Sequence, residues 1–210
     1  MIKVFAVGPL QENTVIIADD TTKEAVIVDP GAEGEKILSK LEGLKPVAII
    51  NTHGHLDHVG QVGFLKKKLD IPFYLNKKDT YLINNDIFPG FAQLIGAVPC
   101  PAPDYNLEEG DEIPFGKRKF VVIETPGHTP GGVCFYDPDN KILISGDTLF
   151  RRGVGRTDLP GGDADTLKNS LKKLMELPED TVVIAGHGDT TTIGEEKHHN
   201  PFITGRIELW

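Results

Sequence analysis

Residues 52–60 of the chain read Thr-His-Gly-His-Leu-Asp-His-Val-Gly and hold three of its seven histidines together with one aspartate. In a chain of this composition, the pattern H-x-H-x-D-H is expected by chance only about 0.0006 times. Imidazole and carboxylate groups this close together compete for protons and desolvate one another unless a positive charge lies between them. Divalent cations are the usual occupants of such clusters. The spacing therefore predicts a metal site.

Three later residues are candidates for the same site, because each follows a predicted strand and a glycine. They are His128 in TPGHTPGG, Asp147 in SGDTLF and His187 in AGHGD. Loops at strand ends commonly carry functional side chains. Taken alone, each histidine would more often be structural, and Asp147 would as readily cap a helix or a turn. Together the matches favour a shared centre of five histidines and two aspartates, which suits two cations with one bridging carboxylate.

The elements that position these residues follow from hydrophobic patterning. Apolar or alternating runs predict strands at 2–7, 14–18, 25–29, 47–51, 119–124, 132–137, 141–145 and 181–186. Apolar residues at helical spacing predict helices at 33–44, 59–69 and 164–177. We therefore expect an α/β fold in which two sheets are flanked by helices.

Two segments lack such a pattern. Residues 76–106 contain four prolines and no clean period, and they are interpreted as a mixed helix and loop cover. Residues 110–118, GDEIPFGKR, fail the Walker pattern and are interpreted as a turn beside a strand.

Composition limits the classes of function. Hydrophobic residues make up 39% and charged residues 25% of the chain, as in ordinary globular proteins. The net charge of −9 disfavours binding to nucleic acid or to an anionic membrane. The two cysteines form no CxxC pair, so neither a disulfide framework nor a thiolate metal site is indicated. We find no signal peptide or membrane span, so a cytoplasmic location is expected.

The motifs THGHLDHVG, TPGHTPGG, GDTLF and GHGD together resemble the metallo-β-lactamase superfamily. VGRTDLPGGD and the later HHNPF are similar to its short glyoxalase II-like members, and the likeness extends over residues 1–205 or so. The resemblance implies an αββα sandwich with a dinuclear site at the loop edge of the sheets. It also implies that residues 1–210 form a single catalytic domain, without the C-terminal helical domain with which full-length glyoxalase II binds glutathione.

By position in these motifs, the resemblance implies two metal sites joined by a bridging ligand. The first set of ligands is His53, His55 and His128. The second set is Asp57, His58 and His187, and the bridging residue is Asp147. Zinc is the preferred ion, although iron and manganese suit the same ligands.

This set of ligands predicts hydrolysis by a metal-activated water. Two divalent ions lower the pKa of a shared water from about 15.7 towards 7, and Asp57 would orient the resulting metal-bound hydroxide. A thioester suits such a centre, because its leaving thiolate has a conjugate-acid pKa of about 8.5 and needs little help from a general acid. No serine lies in a GxSxG motif and no cysteine lies beside a histidine, so serine or cysteine catalysis is not indicated.

The segment FRRGVGRTDLPGGD concentrates arginines in an acidic chain. Arg156 matches the position of a basic residue that contacts glutathione in glyoxalase II, which implies that it would bind a substrate carboxylate. The alternative is an internal ion pair with Asp158 or Asp163, and ion pairing is also the preferred interpretation for Arg151 and Arg152.

Three further residues have simpler interpretations. Asp29 in VDPG would cap a turn at a strand end, although the resemblance also places it near the metals. His198 and His199 are predicted to be surface or packing residues, because adjacent side chains point in different directions.

The leading hypothesis is a glyoxalase II-like hydrolase that cleaves S-lactoylglutathione or a related small-molecule thioester. The alternative is a persulfide dioxygenase with a mononuclear iron held by His53, His128 and Asp147, a set of two histidines and one carboxylate. Antibiotic hydrolysis is disfavoured, because secreted β-lactamases of this fold carry Cys or Ser in place of Asp147. A binding module without catalysis is disfavoured by the complete ligand set, and the oligomeric state is left open.

Overall fold

The computed structural model describes residues 1–208. The helices are α1 Gly34–Lys40, α2 Leu56–Val59, α3 Val62–Leu69, α4 Phe91–Leu94, α5 Ala164–Leu174 and α6 Ile193–His199, with a 3-10 turn at Lys77–Asp79. The strands of the first half are β1 Ile2–Val7, β2 Glu12–Ala18, β3 Glu24–Val28, β4 Lys45–Ile50, β5 Phe73–Leu75 and β6 Tyr105–Asn106. The later strands are β7 Glu112–Phe115, β8 Arg118–Glu124, β9 Val133–Asp137, β10 Ile142–Gly146, β11 Leu149–Phe150, β12 Gly153–Val154, β13 Val182–Ala185 and β14 Thr191–Thr192.

Two six-stranded sheets form the centre of the fold. The first has the order β1-β2-β3-β4-β5-β6, antiparallel as far as β3 and parallel from β3 onwards. The second has the order β14-β13-β10-β9-β8-β7 and is antiparallel except for the parallel pair β10 and β13. Both sheets are mixed. Because β9 runs against its neighbours, the carboxyl ends of β8, β10 and β13 lie at the same edge of the second sheet.

Strand alternation divides the core into three layers. On β2, Ile16 packs with α1 and α3 on the outer face of the first sheet, whereas Ile17 faces the second sheet. Phe120 and Phe135 fill the space between the sheets from the opposite side. Leu167 and its neighbours on α5 cover the outer face of the second sheet. The predicted αββα sandwich, with two mixed sheets flanked by helices, is confirmed.

The predicted long strands and helices are all present, with bounds shifted by a few residues. The interpretation of residues 110–118 as a turn was wrong in its middle part, because Glu112–Phe115 forms the edge strand β7 and only Gly110 and residues 116–117 lie in turns. Residues 76–106 form short helical turns and loops as expected, but Tyr105–Asn106 adds a short strand to the first sheet. Among the described residues, no helix is both long enough and apolar enough to cross a membrane.

Candidate metal centre

Strand ends bring the predicted ligands together at one edge of the sandwich. The stretch that begins at His53 follows the buried strand β4, and the short helix α2 carries Asp57 and His58. The other three ligand-type residues follow strands of the second sheet. They are His128 after β8, Asp147 after β10 and His187 after β13. All seven predicted residues therefore come from loops that meet where the carboxyl ends of these strands lie.

The first group comprises His53, His55 and His128, whose ligand atoms lie within 4.8 Å of one another. All three side chains are buried. The Nδ1 atom of His55 is 3.1 Å from the Nε2 atom of His128. These residues could hold one metal ion.

A second group comprises Asp57, His58 and His187, with ligand atoms again within 4.8 Å of one another. Asp147 lies between the two groups, since its Oδ2 atom is 3.7 Å from Nε2 of His128 and 3.7 Å from Nε2 of His187. Its other oxygen, Oδ1, is 3.5 Å from Nε2 of His58. This position is compatible with a carboxylate shared by two ions.

Three of the rings, those of His128, His187 and His58, are oriented by a hydrogen bond on the side facing away from the cluster. His128 Nδ1 donates to the carbonyl oxygen of Arg156 at 2.8 Å, and His187 Nδ1 donates to that of Leu10 at 3.0 Å. His58 Nδ1 lies 3.0 Å from Oδ2 of Asp29. A carbonyl only accepts, so Nδ1 of His128 and of His187 carries a proton, and in the neutral ring Nε2 is the atom left to bind a metal.

Asp29 joins this arrangement to the end of β4. Its Oδ1 accepts the backbone N–H of Thr52 at 2.7 Å, and its Oδ2 accepts the Thr52 hydroxyl at 2.6 Å. The same hydroxyl is 3.0 Å from Nδ1 of His53. Asp29 therefore contacts groups beside two of the ligand-type histidines, as the resemblance implied, rather than only capping a turn.

The unpartnered atoms of the cluster test whether a cation fits it. Of the buried atoms without a hydrogen-bond partner in residues 1–208, four belong to the cluster: Nε2 of His53, His55 and His58, and Oδ1 of Asp147. Buried polar atoms are normally hydrogen-bonded, because leaving them unpaired is costly. All four belong to residue types that ligate divalent metals. A divalent cation therefore fits this donor set.

The electrostatics of His53, His55 and Asp147 suit the same occupant, whereas the neighbouring Asp57 and Asp147 outweigh burial and raise the pKa of His58 and of His187. Burial lowers the pKa of His53 well below its usual value, and burial together with the neighbouring His128 lowers the pKa of His55 to about 4. Burial opposes ionisation of Asp147, but the nearby His58, His128 and His187 together outweigh it and hold the pKa of Asp147 below its usual value. At neutral pH the two histidines are neutral and the aspartate is charged, which are the forms that bind a metal.

A pocket of about 350 Å³ opens over the cluster. Its floor includes His55, Asp57 and His187, and its apolar wall is formed by Leu10, Leu56, Ile87, Phe88, Phe91 and Leu159. Arg156 also lines the pocket. Its Nε and Nη2 atoms donate to the two carboxylate oxygens of Asp158 at 2.6 and 2.7 Å, so the predicted internal ion pair is present at the mouth of the pocket.

The other two arginines of the segment 150–163, and Asp163 in the same segment, have other partners. Arg151 pairs with Asp189, and Arg152 pairs with Glu195. Asp163 caps α5 by accepting the backbone N–H of Thr166 at 2.7 Å instead of pairing with Arg156. The predicted ion pairing of Arg151 and Arg152 is therefore present, but with partners on segments whose relative positions only the fold determines.

Two features of the site were missed from the sequence. One is the apolar wall contributed by Ile87, Phe88 and Phe91 from the cover segment. The other is Asp79, a fully buried carboxylate that contacts the loops of His53, His55 and His128. The only sequence signal for Asp79 was the glycine between His53 and His55. A glycine there indicates that another part of the chain approaches closely, but it does not identify the approaching residue.

The fold and the site define a class of protein: a sandwich of two sheets with a cluster of histidines and carboxylates at one edge that could hold metal ions. The chain belongs to the metallo-beta-lactamase superfamily, whose family model matches residues 7–187. It is 41% identical to the "Probable metallo-hydrolase YqgX" of Bacillus subtilis over 95% of each chain. It is 39% identical to the "Hydroxyacylglutathione hydrolase GloC" of Haemophilus influenzae, over 98% of this chain and 99% of that protein. The resemblance inferred from the motifs is confirmed.

Solved structures agree with this assignment. The B3 metallo-beta-lactamase BLEG-1 is similar with a TM-score of 0.89 and 41% identity, over 98% of this chain and 100% of that one. TTHA1623, crystallised in a di-iron-bound form, has a TM-score of 0.86 and 44% identity over 95% and 99% of the two chains. ETHE1 from Myxococcus xanthus has a TM-score of 0.82 and 28% identity over 98% and 85%.

Proposed function

We propose that the protein is a metal-dependent hydrolase of small thioesters, of the hydroxyacylglutathione type, with two divalent ions at the centre described above. One observation carries the proposal: seven ligand-type side chains converge beneath a pocket of about 350 Å³, with four buried ligand atoms unpartnered. That volume is at the lower end of the range of small-molecule pockets. The proposed ligands are His53, His55 and His128 for one ion, Asp57, His58 and His187 for the other, and Asp147 for both.

Divalent ions bound there would supply an activated water and would polarise the substrate carbonyl. The chain itself orients the reacting groups. Asp57 is the ligand-type carboxylate on the pocket floor, and its Oδ2 lies 3.4 Å from Nε2 of His187. In this position Asp57 would accept a hydrogen bond from the attacking water and hold its oxygen towards the substrate.

The serine and cysteine side chains of the protein are hydrogen-bonded or buried. The hydroxyls of Ser39, Ser145 and Ser170 donate to backbone carbonyls at 2.6–2.7 Å. Cys100 and Cys134 are buried thiols, and burial raises the pKa of the first to about 12 and of the second to about 11. A water nucleophile is consistent with these contacts.

A thioester substrate is supported by two observations. First, the pocket presents an apolar wall opposite the carboxylates of the floor, which suits an uncharged acyl group. Second, the similarity to GloC extends over almost the whole length of both chains. Arg156 is proposed to contact a carboxylate on the thiol half of the substrate, in competition with Asp158.

The test is release of free thiol from S-lactoylglutathione by zinc-loaded protein under strictly anaerobic conditions. We expect rapid release that a chelator abolishes and that the His55→Ala variant lacks. Absence of release from the metal-loaded wild type, with metal binding verified, would overturn the proposed substrate class.

A second candidate is a persulfide dioxygenase with one iron held by His53, His128 and Asp147. It is supported by the convergence of these three residues. The di-iron-bound form of the related TTHA1623 supports iron as a metal for this fold, although with two ions rather than one. The two candidates differ in their need for oxygen, so oxygen uptake with glutathione persulfide and iron-loaded protein is the matching assay. Hydrolysis of a chromogenic β-lactam should be measured with the same protein preparations, because the chain is similar to the B3 metallo-beta-lactamase BLEG-1.

A further inference from the structure

Asp79 is a buried carboxylate that binds two loops at once. It ends the 3-10 turn Lys77–Asp79, at the start of the cover segment 76–106, and its side chain has no exposure to solvent. Oδ1 accepts the backbone N–H of Gly131 at 2.6 Å. Oδ2 accepts the backbone N–H of Gly54 at 3.0 Å and the hydroxyl of Thr129 at 2.7 Å. Asp79 therefore receives three hydrogen bonds from two separate segments.

These two segments carry the first group of ligand-type histidines. Gly54 lies between His53 and His55, and Thr129 directly follows His128. The side chain of Asp79 thus fixes the distance between loops that begin on different sheets. A centre built from both loops requires such a link, because a shift of one loop would separate the Nδ1 of His55 from the Nε2 of His128.

Asp79 also lies too close to Gly54 and Gly131 for either position to carry a side chain. A Cβ atom on Gly54 would lie 2.6 Å from the backbone oxygen of Asp79, and a Cβ atom on Gly131 would lie 2.7 Å from its Oδ1. Both distances are too short for a side chain. The middle position of the His-x-His pair is therefore restricted to glycine by Asp79.

The buried carboxylate of Asp79 is also relevant to cation binding at the metal centre. Within residues 1–208 it forms no ion pair with a lysine or an arginine. A buried carboxylate is costly unless hydrogen bonds or a cation compensate its charge. The three donors supply part of the compensation, and a cation bound to the adjacent loops would supply more.

We propose that Asp79 is a positioning residue for the metal centre: it holds the loop of His53 and His55 against the loop of His128 so that the three rings bind one ion. The proposal rests on the metal centre proposed above and is independent of the substrate. It assigns Asp79 no contact with the metal or with the substrate.

The test compares Asp79→Asn with a matched control, Asp137→Asn. Asp137 is another buried aspartate, bound to Arg118 at 2.6 and 3.0 Å, but it ends β9 and so lies at the opposite edge of the sandwich. Asparagine keeps the shape of the side chain but places an amide N–H₂ against one of the backbone or hydroxyl donors. Zinc affinity is measured by competition with a chromogenic chelator, and ligand geometry by the visible spectrum of the cobalt-loaded protein.

We expect Asp79→Asn to bind zinc about 10- to 100-fold more weakly than wild type and to change the cobalt absorption. Asp137→Asn is expected to lower the melting temperature while leaving both metal readouts unchanged. A general loss of stability cannot produce this contrast, because it would affect the two variants alike.

Thr129→Val is the second variant, because it removes only one of the three hydrogen bonds to Asp79. If Asp79→Asn does not fold, this variant tests the role of Asp79. A smaller loss of zinc affinity and a cobalt spectrum between those of wild type and Asp79→Asn are expected. Wild-type affinity and an unchanged spectrum in the folded variants would overturn the role of Asp79. A wild-type protein that binds no divalent metal would instead overturn the proposed centre.

Discussion

The Nδ1 atom of His55 and the Nε2 atom of His128 lie 3.1 Å apart, although 73 positions separate the two residues in the chain. Nδ1 of His128 already donates to the carbonyl of Arg156, so its Nε2 presents a lone pair towards His55. Nε2 of the adjacent His53 is buried without a partner. Three imidazoles arranged in this way form the kind of site in which histidines share a cation.

The first prediction removes one of these rings. His55→Ala should bind less metal and should hydrolyse a thioester at least about 100-fold more slowly. Removing a residue that only supports a metal ligand already lowers metal affinity or activity by about 10- to 100-fold, and removing a ligand itself should lower them at least as much. Metal content by elemental analysis and thiol release are measured on the same sample. His198→Ala is the matched control, since His198 is exposed and lies outside the cluster. Equal losses in both variants would contradict the assignment.

The long elements could be predicted from the sequence, because each carries a strong pattern of its own. The apolar runs 47–51 and 141–145 both became strands whose carboxyl ends are buried and lead into ligand-type residues. The histidine pattern at 53–58 was equally local, since four of the seven residues lie within six positions. The other three were predicted to join them because each follows a predicted strand and a glycine, and the structure brings all seven together.

Other features depend on contacts that no local pattern records. Strand β7 contains Pro114, which normally argues against a strand, but an edge strand tolerates proline because one side forms no ladder. Strand β5 has only three residues. Asp79 lies in the polar stretch NKKDT, and its partners Gly54 and Gly131 are 25 and 52 positions away. Such contacts become visible only when the loops are placed in space.

The second prediction concerns the ion pair between Arg156 and Asp158. The hydrogen bond from Arg156 lowers the pKa of Asp158 to about 2, so this carboxylate is charged throughout the neutral range. Both side chains are exposed, and exposed pairs are weak enough for a substrate carboxylate to compete with them. Asp158→Asn should therefore lower KM for S-lactoylglutathione by about 2- to 5-fold, and Arg156→Ala should raise it.

An uncharged thioester such as S-acetyl-N-acetylcysteamine provides the control, because neither variant should change its KM. Steady-state kinetics with the two substrates make the comparison. A change in kcat alone, or the same change for both substrates, would show that Arg156 does not bind a carboxylate.

The third prediction addresses the apolar wall of the pocket. Phe88 lines the pocket, yet 53% of its surface is exposed, so its removal should leave the fold intact. Phe88→Ala should lower kcat/KM for a hexanoyl thioester by about 3- to 10-fold through the loss of apolar contact, with little effect on an acetyl thioester. Leu94→Ala is the control, because Leu94 is 68% exposed on the nearby helix α4 and does not line the pocket. A loss that is independent of acyl length would count against a role of the wall in acyl binding.

The fourth prediction concerns the two thiols. Burial raises the pKa of Cys100 to about 12 and that of Cys134 to about 11, so the thiolate, which is the reactive form, is scarce at pH 8. The folded protein should react with a disulfide reagent such as DTNB at least about 100-fold more slowly than a small free thiol at that pH. Two thiols should react at once in guanidinium chloride, where burial is lost.

The same chemistry gives a consequence for the enzyme assay. Because the protein thiols stay protonated and buried, DTNB can report the thiol released from a thioester without interference from the protein. Treatment of the folded enzyme with a thiol-alkylating reagent at pH 8 should leave the hydrolysis rate unchanged, since neither cysteine lies among the residues of the metal centre or its pocket. If alkylation abolished hydrolysis while the melting temperature and metal content stayed the same, one of the thiols would take part in the reaction, and a water nucleophile alone would no longer account for it.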